Sequence, residues 1–396
     1  MSNDGCVPYP FPLTERRAEL LIANSSLLIV PYPSNSGFLN QKRATDGRPL
    51  FVPRAYMRKS DIFFFLRPNF PSALAYGKKV WYTYSKPHKF SERKYTAMSD
   101  LKSLILAAAE KEGIDLIGFA SKARYENVPA QINPFSIFPE GKTVILVGKR
   151  VTRGSLRGVE EGTNFGDYNL FGRAWLEDEF LALACYNLVN VFEDNGWEAC
   201  PIFPNPTELP PQGVSVKPGR PAPNVYPDFN YAAVACGICE IGFAGVPLSP
   251  KFGSRQRFHM IITDAEIEES PLLTESVCDR CGLCAQVCPL GAISLDKTEE
   301  LDICGKKMTV AAVDYEKCRN CKNGACPNRQ SSRAKPDRLA ALCNRTCLAH
   351  LEQGERITNT FELPFRKRPA WAIDGSNKNV EVPDEFLGGV SAKSKA

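Results

Sequence analysis

Several features that assign proteins to common classes are missing from this sequence. Its 396 residues include three histidines, too few for a histidine-rich metal site. The strongest apolar runs, Leu27 to Val30 and Ile62 to Leu66, are far shorter than the roughly 20 residues that a membrane-spanning helix needs. Residues 1–23 lack the basic start and the apolar segment of a secretory signal. These absences predict a soluble, cytoplasmic protein without a membrane span.

The sequence also lacks a strong excess of charge of either sign. Its formal net charge is +5, and the basic residues are interspersed with acidic ones. The densest basic spot, Arg366 to Arg368, is expected to be a solvated turn. Since nucleic-acid binding usually needs a marked basic patch, we expect no nucleic-acid partner. The hydrophobic fraction of 43% is enough for a sizeable core over two or three domains.

Cysteine, in contrast, is abundant: the chain has fifteen, and ten of them lie between Cys278 and Cys347. In a reducing compartment this number indicates metal or redox chemistry and not a disulfide framework. The segment opens with Cys278-x2-Cys281-x2-Cys284-x3-Cys288 followed by proline, which is typical of bacterial ferredoxins that bind [4Fe–4S] clusters. Paired Cys-x2-Cys also binds zinc, but zinc does not call for these four spacings. The segment therefore predicts iron–sulfur clusters.

Two clusters need eight thiolates, and the fourth cysteine of a ferredoxin run serves the other cluster of a pair. Each cluster is therefore predicted to take ligands from both halves of the segment, cluster 1 from Cys278, Cys281, Cys284 and Cys326, and cluster 2 from Cys288, Cys304, Cys318 and Cys321. Cys343 or Cys347, spaced x3 on a predicted helix, is the open alternative to Cys304. Spacing alone does not decide between them.

Composition and pattern divide the chain into four regions. Residues 1–95 form an aromatic and proline-rich accessory region, and residues 96–270 alternate helical and strand patterns, which predicts a mixed α/β core for cofactor and substrate. Residues 271–350 form a ferredoxin-like iron–sulfur domain. Residues 351–396 form a C-terminal extension that is expected to be partly disordered. The predicted fold class is α+β.

Within the core, apolar residues at helical spacing predict a long helix from about Arg173 to Asp194, which Asn195-Gly196 ends. A buried strand is predicted at Thr143 to Val147 and another at Phe258 to Thr263. Nine prolines between Pro201 and Pro227 exclude a regular element there. This loop is either a linker or the wall of a site, and the strand-like sequence on both sides favours the wall.

With these motifs in place, the chain resembles the superfamily of epoxyqueuosine reductases and cobalamin-dependent reductive dehalogenases over roughly residues 100–350. The double-cluster pattern and the helix followed by Gly196-Trp197-Glu198-Ala199 both resemble the family. The most specific likeness is to the dehalogenase-type run of glycines, arginines and Thr-Asp, and it lies in residues 237–242 (Gly-Ile-Cys-Glu-Ile-Gly), residues 248–253 (Leu-Ser-Pro-Lys-Phe-Gly), Arg255, Arg257 and Thr263-Asp264.

The resemblance implies a nitroreductase-like α/β core with a corrinoid, cobalamin, held between it and a ferredoxin-like domain with two [4Fe–4S] clusters. Tyr168 and Arg173 are the implied catalytic residues, because a cation beside a tyrosine lowers the cost of the phenolate that remains after proton donation. The implied cofactor-binding residues are Gly237, Cys239, Glu240, Gly242, Gly245, Pro250, Gly253, Arg255 and Arg257.

The sequence departs from the family at two places. Epoxyqueuosine reductases carry an acidic proton donor about fourteen residues before their glycine run, where this chain has Pro223-Asn224, so the resemblance does not imply their tRNA-modification activity. The resemblance is closer to the dehalogenase-like branch. Cys236 and Cys239 replace small family residues. They are either two buried small side chains or a thiol pair that touches cofactor or substrate.

The leading hypothesis is a reductase that takes electrons from a reduced ferredoxin or flavodoxin-type donor. It passes them through two [4Fe–4S] clusters to cobalamin, which acts on a small organic substrate. The alternatives are an iron–sulfur electron-transfer or reductive-activation partner without a corrinoid, and a reductase that holds a flavin in the same core.

Overall fold

A four-stranded antiparallel sheet lies at the centre of the part of the chain that the computed structural model describes, residues 98–382. These residues belong to the second of the two units into which the chain divides, His88–Ala396. The accessory region predicted at residues 1–95 and the extension beyond residue 382 lie outside the described residues. No helix in the described range is long and apolar enough to cross a membrane.

The helices and strands of the core follow the predicted alternation. In chain order they are α1 (Met98–Lys111), β1 (Leu116–Ser121), β2 (Thr143–Arg150), α2 (Arg157–Glu160), α3 (Gly166–Asn169), two π-helical segments (Leu170–Ala174 and Leu176–Leu181), α4 (Ala182–Asp194), β3 (Ala199–Ile202), α5 (Phe229–Ala235), β4 (Glu240–Ile241), β5 (Pro247–Leu248) and β6 (Gln256–Thr263).

The sheet has the order β1-β2-β6-β3, and both central strands are buried on two faces. Alternate side chains along β2 point to opposite faces, so Val144 and Leu146 pack against α5 while Ile145 and Val147 pack against α1 and α4. The continuous apolar runs of both strands are explained by this double burial. The predicted mixed helix-and-sheet architecture is therefore confirmed.

The predicted helix at 173–194 starts earlier, at Gly166, and continues to Asp194 through two stretches of wide π-helical turns. In a regular α-helix, residues five apart point about 140° away from each other, since each residue turns the helix by about 100°. The wider turn of a π-helix brings such residues onto one face. Tyr168 and Arg173 are five apart, and both point toward the same carboxylate.

The region predicted to be the iron–sulfur domain is built around a β-hairpin and a helix. Its elements are α6 (Leu283–Gln286), β7 (Ile293–Ile303), β8 (Lys306–Val313), α7 (Tyr315–Arg319) and α8 (Leu342–Gln353). Cys304 and Gly305, with φ values of +54° and +85°, form the two-residue turn between β7 and β8. The chain then ends its described range with a small hairpin of β9 (Trp371–Ile373) and β10 (Asn379–Glu381).

Candidate functional site

Four thiols of the iron–sulfur domain converge on one small enclosed space. They belong to Cys278, Cys281, Cys284 and Cys347. Burial raises the pKa of Cys347 well above its usual value, and the neighbouring thiols of the other three raise it further. The backbone N–H of Phe243 also points at this space and donates to Cys278 Sγ at 3.4 Å. We name these four residues thiol group 1.

A second set of four thiols, named thiol group 2, consists of Cys288, Cys318, Cys321 and Cys343. The pKa of Cys343 is raised to about 12, mainly by burial; the Arg338 guanidinium lowers it, and the other three thiols of the set are close enough to contribute to the rise. Ala292 N–H donates to Cys288 Sγ at 3.4 Å, and Asn323 Nδ2 donates to Cys321 Sγ at 3.8 Å. Such N–H···S contacts are typical of cluster-binding loops, where they adjust the reduction potential.

Helix α8 connects the two groups, since Cys343 and Cys347 are four residues apart and therefore lie on one face of the helix. Buried thiols with raised pKa values ionise only when a cation compensates the charge, and the iron of a [4Fe–4S] cluster supplies that cation. Two sets of four convergent thiols, each with N–H donors aimed at sulfur, fit two such clusters. We therefore take the two groups as the candidate ligand sets.

This arrangement differs from the assignment predicted for Cys326 and Cys304. Cys326 lies beside the long helix, where its thiol donates to Asn169 Oδ1 at 3.4 Å, and its backbone pairs with that of Asp337. Cys304 occupies the tip of the β7–β8 hairpin, and its thiol donates to the backbone oxygen of Arg124 at 3.5 Å. Cys347 and Cys343, which the sequence left as alternatives for one position, instead complete one group each.

A buried polar cluster is formed around one oxygen atom, Asp337 Oδ2. The hydroxyl of Tyr168 donates to it at 2.8 Å, Arg257 Nη2 donates at 2.5 Å, and Arg173 Nε lies 3.3 Å away. Arg257 Nη2 also donates to the Tyr168 oxygen at 2.8 Å, and Arg257 Nη1 lies 3.6 Å from Glu177. The predicted pair of Tyr168 and Arg173 is thus brought together through a carboxylate that the sequence did not single out.

The electrostatics of this cluster determine which of its groups are charged. Burial raises the pKa of Asp337, but the guanidiniums of Arg257 and Arg173 outweigh that effect, so its pKa is lowered overall. Burial raises the pKa of Tyr168 well above its ordinary value, so the hydroxyl stays protonated near neutral pH. The cluster therefore holds a phenol that donates, a carboxylate that accepts, and two cations.

A cavity of about 740 Å³ opens beside this cluster. Its walls come from both the sheet core and the iron–sulfur domain, and the lining includes Glu177, Pro204, Asp228, Gly245 to Pro247, Arg257, Tyr315, Asp337, Arg338 and Asn344. Pro204 of the proline-rich loop reaches it, and so does Asp228, the residue that directly follows the loop. Glu208 within that loop lies 3.1 Å from Lys335, another lining residue. The loop therefore contributes to the wall, as the sequence favoured.

Of the predicted cofactor-binding residues, Gly245 and Arg257 line this cavity. Gly237 has φ +71°, and a Cβ there would meet the backbone oxygen of Pro271 at 2.1 Å, so it allows two backbones to approach closely. Cys239, like Cys236, is buried in the hydrophobic core. Gly242 packs against Leu248.

The remaining predicted residues have contacts within the protein. Glu240 is buried and accepts the backbone N–H of Cys278 at 2.5 Å, which fixes the start of the cysteine run. Pro250 accepts a hydrogen bond from the backbone of the C-terminal segment, and Gly253 packs against α8. Arg255 is buried and donates to Val151 O at 2.8 Å. Cofactor contact by these residues stays a prediction.

Comparison with known proteins gives one family match. Residues 272–294 match the family model described as "4Fe-4S binding domain". No curated protein matches the sequence significantly.

Several solved structures are similar to the chain at low identity. An epoxyqueuosine reductase with an epoxyqueuosine-modified tRNA-Tyr stem loop is 15% identical, with a TM-score of 0.35, over 49% of this chain and 53% of its own. The epoxyqueuosine reductase from Bacillus subtilis has 15% identity and a TM-score of 0.34 over the same shares. A reductive dehalogenase whose structure suggests a mechanism for B12-dependent dehalogenation has 14% identity and a TM-score of 0.40, over 70% of this chain and 41% of its own.

The chain spans about half the length of these epoxyqueuosine reductases and less than half of this dehalogenase. They represent the two groups of proteins that the sequence resembles. Residues 272–294 are thus a 4Fe–4S binding domain, as the cysteine spacing predicted, in a chain similar to epoxyqueuosine reductases and reductive dehalogenases.

Proposed function

We propose that this protein is an iron–sulfur reductase in which two [4Fe–4S] clusters pass electrons to a cofactor in the 740 Å³ cavity. The position of the cavity carries the proposal. Val246 borders both the cavity and thiol group 1, while Asn344, which also lines the cavity, directly follows Cys343 of thiol group 2. Both candidate cluster sites therefore adjoin the wall of the cavity.

The cofactor that we propose for the cavity is a corrinoid, on the basis of the residues that resemble the dehalogenase branch. When bound, a corrinoid supplies a strongly reducing cobalt centre. Gly245 lines the cavity with φ +70°, where the absence of a side chain lets a flat ring approach the backbone. Arg257 brings a cation to the same lining. A flavin and a cluster-only electron-transfer protein are the competing proposals.

The polar cluster around Asp337 would manage the proton that accompanies reduction of a substrate. Asp337 and Arg257 line the cavity, while Tyr168 lies behind them and is 1% exposed. A proton that leaves Tyr168 Oη therefore passes through Asp337 Oδ2, 2.8 Å away, before it reaches the cavity. Arg257 Nη2, 2.8 Å from the same phenol oxygen, stabilises the phenolate that remains.

We propose a small organic molecule as the substrate and a reduced ferredoxin or flavodoxin-type protein as the electron donor. The absence of an acidic residue at Pro223-Asn224 supports a substrate other than tRNA. The nitroreductase-like character of the core and the division into domains at residues 95, 270 and 350 belong to the same proposal.

Reconstitution tests the cofactor directly. The full chain, purified without oxygen and loaded with iron and sulfide, is mixed with hydroxocobalamin and desalted. We expect about eight iron atoms per chain and a retained, roughly stoichiometric corrinoid. Arg257→Leu should keep the iron and retain less corrinoid, whereas Arg150→Leu, which alters a half-exposed arginine on the same sheet, serves as the control. Full iron without retained corrinoid would support the cluster-only alternative, and a yellow native extract would support the flavin.

A further inference from the structure

One wall of the 740 Å³ cavity contains two polar side chains whose hydrogen bonding is incomplete. Arg338 is 7% exposed and Asn344 is 2% exposed. Neither Arg338 Nη1 nor Asn344 Oδ1 has a hydrogen-bond partner among residues 98–382. A buried polar atom without a partner destabilises a protein, so folded chains rarely keep one unless another molecule satisfies it. Here the two residues that carry such a donor and such an acceptor both line the same cavity.

The remaining contacts of both side chains fix which atoms are left over. Arg338 Nη2 donates to Ala244 O at 2.8 Å, and the guanidinium lies 5.3 Å from the centre of the Tyr315 ring. Asn344 Nδ2 donates to the backbone oxygen of Arg338 at 2.7 Å, so the amide of Asn344 cannot turn over without losing that bond. The wall consequently offers one N–H donor and one carbonyl acceptor to a ligand.

Charge decides which ligand group suits this wall. Arg338 Nη2 donates to Ala244 O, and Ala244 packs in the same core cluster as Cys343, which places the guanidinium beside thiol group 2. A [4Fe–4S] cluster with four thiolates carries a net negative charge, so it offsets the charge of Arg338. An anionic ligand group would then meet the repulsion of the cluster, and it would bring no hydrogen for Asn344. A neutral group with both an acceptor and a donor avoids both problems.

We propose that Arg338 and Asn344 form a binding site for a neutral carboxamide of the molecule in the cavity. The amide oxygen accepts from Arg338 Nη1, and an amide N–H donates to Asn344 Oδ1. A carboxylate or an ester lacks the N–H, whereas an amine lacks the acceptor. For a corrinoid, whose ring edge carries several primary carboxamides, this site rests on the proposed function; the chemistry of the wall itself does not depend on it.

A pair of corrinoids that differ only in their side chains tests the site. Cobinamide carries amides, and cobyrinic acid carries carboxylates that are ionised at pH 7.5. Equilibrium dialysis with the cluster-loaded full chain should show about tenfold or tighter binding of cobinamide, since at the proposed site one hydrogen bond and one repulsion separate the two ligands. Asn344→Leu should reduce this preference to about threefold or less. Arg338→Met should weaken cobinamide binding and thereby reduce the preference as well.

The control variant is Lys335→Met. It removes a cation from the same cavity lining while leaving Arg338 and Asn344 in place, so the preference for cobinamide should persist. Iron content and melting temperature establish that each variant is folded and loaded. If Asn344→Leu loses iron, Arg338→Met takes its place in the comparison.

A second probe separates the site from the corrinoid proposal. Benzamide and benzoate are small enough to enter the cavity alone, and saturation-transfer NMR reports their binding. Wild-type chain should bind benzamide and not benzoate, and Asn344→Leu should lose this difference. Binding of neither corrinoid, with benzamide selectivity intact, would overturn the proposed function and leave the carboxamide site standing. Equal binding of benzamide and benzoate by the wild-type chain would overturn the carboxamide site.

Discussion

Replacement of Glu160 by glutamine should be among the most damaging single changes outside the thiol groups. Glu160 is buried and is the acceptor for two buried guanidiniums: Arg345 Nη1 donates to its Oε2, and Arg366 Nε donates to its Oε1 at 2.6 Å. The side chains of Arg345 and Arg366 are 0% and 1% exposed. Glu160→Gln would leave both cations in the interior without a carboxylate.

The expected cost is about 3–5 kcal/mol, the range measured when one partner of a buried ion pair is removed. For a chain of this size, that loss lowers the melting temperature by about 5 °C or more. The assay is a thermal scan of the cluster-loaded protein without oxygen, at one fixed scan rate, because cluster loss makes unfolding irreversible. Iron content is measured on the same samples.

Glu268→Gln provides the matched control. Glu268 pairs with Lys102 at 3.0 Å, but its side chain is 86% exposed, so the same chemical change should shift the melting temperature by about 2 °C or less. Glu160→Gln combined with Arg366→Met should recover part of the loss, because one of the two uncompensated cations is then gone. Equal melting temperatures for Glu160→Gln and Glu268→Gln would refute the reasoning.

Three further predictions follow from the site and the core. Iron analysis should show a loss of at least half of the bound iron in each of two variants, Cys347→Ser and Cys343→Ser. It should show full iron in Cys326→Ser and Cys304→Ser. The opposite result would support the ligand sets predicted from spacing. Asp337→Asn should lower the free energy of unfolding near pH 7. The difference from wild type should shrink as the pH falls through about 4, because a carboxyl with a lowered pKa stabilises the fold only while it is ionised. A difference that is constant from pH 7 to pH 3 in denaturant titrations would contradict this. Gly237→Ala should lower the melting temperature by several degrees, since its Cβ would meet Pro271 O at 2.1 Å, while Gly154→Ala, with nothing within 4 Å, should not.

The parts of the fold that the sequence predicted are those with strong local patterns. β2 and β6 are continuous apolar runs, and a strand buried on both faces has that pattern regardless of its neighbours. The helix that ends at Asp194 was found from its apolar spacing. Its start at Gly166 was missed, because wide π-helical turns break the 3.6-residue period on which such predictions rest.

The candidate site was predictable only where its residues are close in sequence. Cys278, Cys281 and Cys284 come from one loop, but the fourth thiol of that group is Cys347, whose position depends on how α8 packs. Tyr168 and Arg173 were found through the family resemblance. Asp337, which joins them, lies in an irregular segment, and no local pattern distinguishes it from a surface aspartate.

Arg366 shows the same limit for charged residues. A basic run suggested a solvated turn, and this prediction was wrong for Arg366, which is buried and bonded to Glu160 and Thr346. An arginine can be buried when the fold brings a carboxylate to it, and here that carboxylate, Glu160, lies about 200 residues earlier in the chain. Sequence patterns give no information about such long-range pairs.

The position of α8 has a consequence for how the protein is made. With the ligand sets proposed above, each thiol group takes its last cysteine from this one helix, at Cys343 and Cys347. During synthesis, thiol group 2 cannot be complete until the ribosome has translated residue 343, and thiol group 1 cannot be complete until it has translated residue 347. Iron and sulfide must therefore be delivered to a chain that already includes α8, and a polypeptide truncated before α8 would have no complete site for either cluster.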